Sequence, residues 1–177
     1  MRFVVFSSVI LTFLVCPQTS IAFESGNQLR CLYSQPTTKQ NIDVNVVECT
    51  YAPTIELLQL TDSLRLYPAV SWGEVATPSD KGVLLGGGAG LNYEPVEKMN
   101  AFFEGGGYWL ADTRYGKRGE AYKNYGGNSQ FFAKLGLNYR LYRNWMFGYA
   151  YLHISNGNRY ETNPSFDGHS FTFGFRF

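Results

Sequence analysis

The feature that most constrains the fold of this chain is the alternation of bulky apolar residues with small or polar ones along its C-terminal segment. Residues 171–177 alternate four phenylalanines with Thr172, Gly174 and Arg176. Because successive side chains of a strand point to opposite faces, this period of two predicts a β-strand with one apolar face. Residues 131–141 repeat the pattern, with Lys and Arg opposite a row of Leu, Phe and Tyr. The chain is therefore expected to be built from amphipathic strands.

The apolar face of these strands is predicted to face lipid. Lys134, Asn138, Arg140 and Arg176 share the opposite face with several glycines, and such residues fit the narrow interior of a small barrel. A transmembrane barrel has this arrangement, with aromatic side chains outside and polar ones inside. A soluble barrel of the lipocalin type would reverse it and bury the phenylalanines, and this alternative stays open. Aromatic residues make up 17% of the chain and Gly numbers 19, which favours strands on an apolar surface.

The alternation predicts an all-β fold, an eight-stranded antiparallel up-and-down transmembrane β-barrel. Six strands are expected at residues 64–73, 82–93, 101–111, 130–142, 144–155 and 169–177. Two more within residues 42–61 bring the count to the even number that single-chain bacterial barrels have. Residues 23–41 are polar and predict an irregular N-terminal segment, whereas the charged residues 113–128 predict a loop. No stretch after residue 22 is long and apolar enough for a membrane helix.

The N-terminus is predicted to be a secretory signal peptide of residues 1–22. A positive residue precedes an apolar stretch over residues 4–15, which is too short to cross a bilayer as a helix. A small-x-small cleavage site ends at Ala22, so residues 23–177 are the expected exported barrel domain. Lipidation at Cys16 is an alternative, against which stand the bulky residues before it.

The predicted mature chain keeps two cysteines, Cys31 and Cys49. An even pair in an exported protein is a candidate disulfide, and two unpaired thiols are the alternative. No further Cys or nearby His completes a metal-ligand pattern, so neither a metal nor a cofactor is expected. The net charge is +1 and there is no basic run, so a nucleic-acid partner is not expected either.

A candidate catalytic triad lies at the predicted outer end of the last two strands. Both termini of such a barrel lie in the periplasm, so strand 144–155 runs outward and the last strand runs inward. His153 and Ser155 share the aromatic, lipid-facing side, and Asp167 lies on the same side of the next strand. A base next to Ser and a carboxylate next to His are what nucleophilic catalysis requires. The alternative is that these groups meet only headgroups and water.

Residues 151–164, YLHISNGNRYETNP, resemble the C-terminal signature of the lipid A 3-O-deacylase (PagL-type) family of outer-membrane enzymes. The resemblance rests on a His-x-Ser-Asn core, on the pair Asn163 and Pro164, and on a final strand that ends at Phe177. It is specific over the C-terminal part of the chain and looser upstream, where it rests on barrel-like alternation. It implies an eight-stranded barrel with its catalytic site on the outer, membrane-facing surface.

The resemblance implies a role for each residue of the motif. Ser155 is the implied nucleophile, His153 the base and Asp167 the orienting acid, although the family pattern commonly has Glu at that position. Asn156 is the implied donor to the oxyanion through its side-chain amide. Asn158 stands where the family often has Gly, which bears on a second, backbone donor.

The resemblance also implies a reaction and a partner. A member of this family is a carboxylic ester hydrolase that removes the 3-O-linked acyl chain of lipid A, within lipopolysaccharide of the bacterial outer membrane. The alternatives are a non-enzymatic small outer-membrane barrel, structural or lipid-binding, and a family member that only binds lipid. His169 also points outward by parity and is interpreted as a headgroup contact that could compete with Asp167 for a role. The sequence leaves the oligomeric state open.

Overall fold

Antiparallel strands make up most of the computed structural model, which describes residues 26–38, 42–55, 58–117 and 119–177. The strands are β1 (Gln28–Pro36), β2 (Asn45–Ala52), β3 (Leu64–Ala76), β4 (Lys81–Val96), β5 (Met99–Leu110), β6 (Arg114–Gly116), β7 (Tyr122–Asn124), β8 (Ser129–Tyr142), β9 (Trp145–Ser155) and β10 (Phe166–Arg176). All except β6 and β7 close into one barrel, in which β1 pairs with β10, and this confirms the predicted eight-stranded architecture. The six strands predicted from alternation are β3, β4, β5, β8, β9 and β10, and the predicted loop 113–128 carries the β6–β7 hairpin.

The prediction of an irregular segment over residues 23–41 is wrong, because β1 runs through it. β1 pairs with β10 on one side and with β2 on the other, and so closes the barrel. Its polar character is that of an inward face, since Arg30 lies inside and forms an ion pair with Glu104 across the barrel. The companion prediction of two strands within residues 42–61 is also wrong: the described part of that stretch holds β2 and no other strand.

The first two strands carry both cysteines of the predicted mature chain. Cys31 and Cys49 lie directly opposite each other in the β1–β2 register, and the structure joins them as a disulfide. Both are half-buried on the outward side of the barrel. The disulfide therefore joins β1 to β2 on the outward side of the barrel. On its other edge β1 pairs with β10, which closes the barrel. The predicted signal peptide, residues 1–22, and the alternative lipidation at Cys16 lie outside the described residues.

Exposed apolar and buried polar side chains alternate along the barrel strands. On β8, Leu135 is 63% exposed whereas Lys134 is 1% exposed. Phe171 on β10 is 69% exposed, which contradicts the soluble alternative, since that fold would bury the terminal phenylalanines. A continuous exposed apolar belt of this kind fits lipid rather than water. No helix in the described part of the chain is long and apolar enough to cross a membrane.

Side chains fill the barrel interior in three layers. At the end where β1 begins and β10 ends, Arg176 pairs with Glu94. In the middle, Lys134 pairs with Glu48 and Glu104, so that buried charges have the partners without which they would be strongly destabilising. At the opposite end an apolar cluster fills the mouth, and its members include Leu84, Leu110, Phe132, Leu152, Ile154 and Phe166.

The two ends of the barrel differ in their loops. At the end where β1 begins and β10 ends, residues 97–98 and 143–144 form two-residue turns, and the β2–β3 connection is longer. The opposite end carries the segments 111–128 and 156–165. Because bacterial barrels have short periplasmic turns and longer extracellular loops, the opposite end is the extracellular one. The ends of β9 and β10 that meet there carry the candidate triad.

Candidate active site

The last two barrel strands position the candidate triad. On β9, His153 and Ser155 are two residues apart and point to the same outward side. On β10, Asp167 is paired directly with His153 in the antiparallel register. The inward side of β9 holds the strand in place, because Leu152 and Ile154 pack in the apolar cluster that fills the mouth of the barrel. The structure thus brings all three predicted residues together on the outer face at the extracellular end.

His153 connects the other two side chains through its two ring nitrogens. Its Nδ1 lies 2.8 Å from Asp167 Oδ1, and its Nε2 lies 3.1 Å from Ser155 Oγ. A carboxylate only accepts hydrogen bonds, so Nδ1–H donates to Asp167 and Nε2 is left to accept the hydroxyl proton of Ser155. In this arrangement a base can activate a nucleophile while a third group fixes the tautomer of the base.

Two further hydroxyl groups, which the sequence analysis did not single out, hold the carboxylate of Asp167. Tyr151 donates to Oδ1 at 2.7 Å, and Ser165 donates to Oδ2 at 3.0 Å. With His153, the carboxylate therefore accepts three hydrogen bonds, which fix its orientation and stabilise its charge. The sequence carried a signal for Tyr151, which shares the outward face with His153, whereas the contact of Ser165 depends on the path of the loop after β9.

The side chain of Asn156 does not lie on the outward face that carries Ser155. It is fully buried, and its side-chain amide donates to Tyr125 O at 3.1 Å and to Thr162 O at 2.6 Å. Both amide hydrogens are thereby used, so the implied role of Asn156 as a side-chain oxyanion donor is wrong for this structure. Parity gives the reason, since Asn156 follows the outward-facing Ser155 and therefore points inward. Its amide instead ties the loop after β9 to the segment that carries the hairpin.

The loop after β9 begins with a tight turn. Gly157 and Asn158 have φ angles of 62° and 63°, and Arg159 N donates to Asn156 O at 3.2 Å. Two consecutive positive φ angles with this hydrogen bond are the signature of a type I′ turn, which accepts Asn besides Gly. The departure from the family pattern at Asn158 therefore preserves the turn. Asn163 closes the loop by accepting the backbone N–H of Asn156 at 2.9 Å.

Below the triad, toward the membrane centre, the outer face becomes aromatic. This aromatic face extends to the periplasmic start of β9, where the rings of Trp145 and Phe173 stack with their centroids 4.8 Å apart. His169 lies one step below the triad, opposite Tyr151, and its Nδ1 is hydrogen-bonded to the hydroxyl of Tyr149. Among the described residues, no group of three or more His, Cys, Asp or Glu side chains is arranged to hold a metal ion. On the outer face of the β9–β10 pair, the triad lies closer to the extracellular end than His169 and the aromatic rings do.

Comparison with known protein families identifies the group to which the chain is related. The model of the family described as lipid A 3-O-deacylase (PagL) matches residues 55–176. The chain belongs to this family. The match confirms the family predicted from the C-terminal motif, and its range includes His153, Ser155 and Asp167. It begins after β2, so the two disulfide-linked strands lie outside the matched part of this PagL-family chain.

Solved structures with a similar fold include outer-membrane barrels of several kinds. The crystal structure of the outer membrane enzyme PagL has a TM-score of 0.60 at 14% identity, covering 84% of this chain and 98% of that one. The N-terminal β-barrel domain of Pseudomonas aeruginosa OprF and Neisserial surface protein A (NspA) both reach 0.57, at 14% and 13% identity, and both comparisons cover 86% of this chain and 98% of the other. At these identities the likeness shows the fold alone. A comparison with curated proteins found no match.

Family and fold agree on where the protein resides. The PagL family and the barrels of similar fold are outer-membrane proteins, and the exposed apolar belt of this chain fits that environment. The protein is therefore a bacterial outer-membrane β-barrel of the lipid A 3-O-deacylase family, with the candidate triad at the lipid-facing rim of its extracellular end.

Proposed function

We propose that the protein is an outer-membrane serine esterase that removes the 3-O-linked acyl chain of lipid A in lipopolysaccharide. The observation that carries this proposal is the hydrogen-bonded chain of Ser155, His153 and Asp167 on the outward face of the extracellular end. Groups in that position meet lipids of the outer leaflet at the level where acyl chains join the headgroup. Membership of the lipid A 3-O-deacylase family supports the choice of substrate.

The proposed reaction is a double displacement at the ester carbonyl. Ser155 Oγ attacks the carbonyl carbon while His153 Nε2 takes the hydroxyl proton. The tetrahedral intermediate collapses to an acyl-enzyme, and the sugar alcohol leaves with the proton that His153 returns. Water then attacks the acyl-enzyme with His153 again as the base, which releases the fatty acid and restores Ser155. Asp167 stabilises the imidazolium that forms in each half-reaction.

The oxyanion formed in each half-reaction needs a donor other than the side chain of Asn156, and Asn163 is the proposed donor. Its Oδ1 accepts the backbone N–H of Asn156, the residue next to Ser155, so its amide is held beside the nucleophile. That amide donates to Asn158 Oδ1 at 2.9 Å, an exposed contact that a substrate oxyanion can replace. A preorganised donor of this kind stabilises the charge that develops on the carbonyl oxygen.

The test is to incubate purified, detergent-folded protein with lipid A and to follow the lipid mass. We expect the wild type to remove one hydroxy-fatty acyl group from the 3-position and Ser155→Ala to remove none. Ser129→Ala is the matched control, because it removes an exposed hydroxyl from the same end of the barrel and should leave the activity unchanged.

Two results would count against the proposal. Deacylation by Ser155→Ala at the wild-type rate would contradict the role of Ser155 as nucleophile. An unchanged lipid mass with folded wild-type protein would favour the alternative, a small barrel that binds lipid or supports the membrane without hydrolysis.

A further inference from the structure

An open cleft lies beside the triad at the extracellular end, and we call it the mouth pocket. It has a volume of about 1110 Å³ and lies between the β6–β7 hairpin and the loop of residues 156–165. The residues that line it include Ile42, Arg114, Lys123, Glu161, Asn163 and Ser165. Pockets for small molecules measure roughly 300–1,000 Å³, so the mouth pocket has room for a sugar headgroup.

Shared residues connect the mouth pocket to the triad. Ser165 lines the pocket and donates to Asp167 Oδ2 at 3.0 Å. Asn163 also lines it and accepts the backbone N–H of the residue next to Ser155. A molecule that reacts at Ser155 therefore has the mouth pocket on its loop side and the apolar outer face of the barrel on its membrane side.

A buried cation forms part of the pocket wall. Lys123 is 7% exposed, and its Nζ donates to Ser165 O at 3.1 Å and lies 5.0 Å from the centre of the Tyr125 ring. The residue belongs to the hairpin, outside the membrane-spanning strands. Burial lowers the pKa of Lys123 to about 8, although the nearby carboxylate of Asp167 acts in the opposite direction. Because desolvation disfavours the ammonium form, an anion bound beside it would stabilise that form.

The pocket carries a second cation on the neighbouring strand of the hairpin. Arg114 on β6 is exposed, and Glu161 on the facing loop is the carboxylate among the lining residues. The side-chain amide of Asn124 adds an uncharged hydrogen-bond donor to the same lining. A guanidinium group, an ammonium group and an amide can all donate hydrogen bonds to the oxygens of a phosphate on a sugar.

We propose that the mouth pocket binds a phosphate group of the lipid A headgroup while the acyl ester of the same molecule lies at Ser155. The inference rests on the proposed function and adds the part of the substrate that the protein recognises. A lipid at the interface keeps its chains along the apolar face and its headgroup among the loops. The headgroup of a lipid that reacts at Ser155 is therefore directed to the pocket side, where Lys123 and Arg114 meet its negative charge.

The first test measures binding rather than turnover, using the Ser155→Ala protein in detergent micelles. Lipid A with its phosphates is expected to bind on the order of tenfold more tightly than lipid A stripped of them, the size of a hydrogen bond to a charged group. Adding Lys123→Gln or Arg114→Gln should remove this preference. Lys117→Gln removes the same charge from the same hairpin outside the pocket and should preserve it. Equal affinity of Ser155→Ala for the two lipids would overturn the phosphate site and leave the deacylation result untouched.

Inorganic phosphate separates a lipid headgroup from a free ion as the ligand. At millimolar concentration it is expected to leave bound lipid A in place, because it lacks the sugar and the chains. If it displaced lipid A as effectively as lipid A itself, the assignment to a headgroup would be overturned.

Kinetics on the otherwise wild-type protein separate a phosphate contact from a general loss of loop structure. Lys123→Gln should raise KM for phosphorylated lipid A and leave KM for dephosphorylated lipid A unchanged. A similar rise of KM for both lipids would overturn the proposal, since that result is expected from a disordered loop.

Discussion

Two histidines lie on the same outward face of the β9–β10 pair, and their surroundings differ. His153 on β9 is hydrogen-bonded to Asp167 through Nδ1 and to Ser155 through Nε2. His169 on β10 is hydrogen-bonded to the hydroxyl of Tyr149 and lies among aromatic rings. One histidine therefore has a carboxylate and a serine hydroxyl as partners, and the other has tyrosine phenols.

Depth in the membrane accounts for this difference. Asp167 lies at the extracellular end of β10, whereas His169 lies two residues further toward the membrane centre. A charged side chain on the lipid face is tolerated near the interface and becomes more costly with depth. The charged partner, Asp167, therefore lies near the interface, and the neutral partner, the phenol of Tyr149, lies deeper in the membrane. The proposed catalytic role therefore goes to His153, the histidine that lies opposite the carboxylate.

The largest expected effect comes from removing the histidine that has the ionic partner. His153→Ala should lower kcat for lipid A deacylation by roughly 10⁴-fold or more, the size of effect seen when the base of a serine triad is lost. Acyl release is measured by mass spectrometry, with heat-modifiable gel mobility as the check that the barrel is folded. If His153→Ala kept its activity within tenfold of wild type, His153 would not be the base, and the proposed functional difference between the two histidines would be wrong.

The next effect concerns the carboxylate. Asp167→Asn should lower kcat by roughly 10²–10⁴-fold, because an amide no longer fixes the tautomer of His153. Asp167→Glu keeps the charge and restores the residue common in the family, and we expect it to be less harmful than Asn. If the Glu variant were the less active of the two in the same assay, charge would not be the property that matters at this position.

A smaller effect is expected at the phenol that donates to the carboxylate. Tyr151→Phe should lower kcat about tenfold with KM little changed, because it removes one hydrogen bond to a charged group. Tyr149→Phe removes the same hydroxyl one step deeper, beside His169, and is the control that should stay near wild type. An increase in KM without a change in kcat would mean that Tyr151 contacts the substrate instead of positioning Asp167.

The smallest effect is expected at the second histidine. His169→Ala should change kcat by less than about threefold, since a surface substitution away from the triad has little effect. The measurement is the same deacylation assay beside His153→Ala. A loss of a hundredfold would show that His169 competes for Asp167, and the interpretation of His169 as a headgroup contact would be wrong.

The lipid-facing strands could be predicted from sequence because the membrane imposes their alternation directly. The exposed Leu135 and the buried Lys134 are neighbours in the chain, and such pairs recur along the six strands that alternation located. β1 could not be found in this way. Its inward side chains, such as Arg30 and Ser34, resemble those of a polar loop, and its partners β2 and β10 become known only when the barrel closes. Pairing between distant segments leaves no local signal.

The candidate site likewise has one part that the sequence predicted and another that it did not. Parity and strand order were sufficient to group His153 and Ser155 with Asp167. The contacts of Asn156 and Ser165 depend on the path of the loop after β9 and on its meeting with the hairpin. The mouth pocket depends on the same meeting of two segments far apart in sequence. Side-chain direction within strands was therefore predictable, and the arrangement of the loops around the site was not.

The filled interior of the barrel bears on the permeability of the outer membrane. The Arg176–Glu94 pair, the charges around Lys134 and the apolar cluster at the mouth occupy the lumen in successive layers. Water for the proposed reaction must therefore reach Ser155 from the extracellular side, and the products must leave sideways into the leaflet or outward. A cell can carry many copies of such a protein without opening a conduit for small solutes or antibiotics.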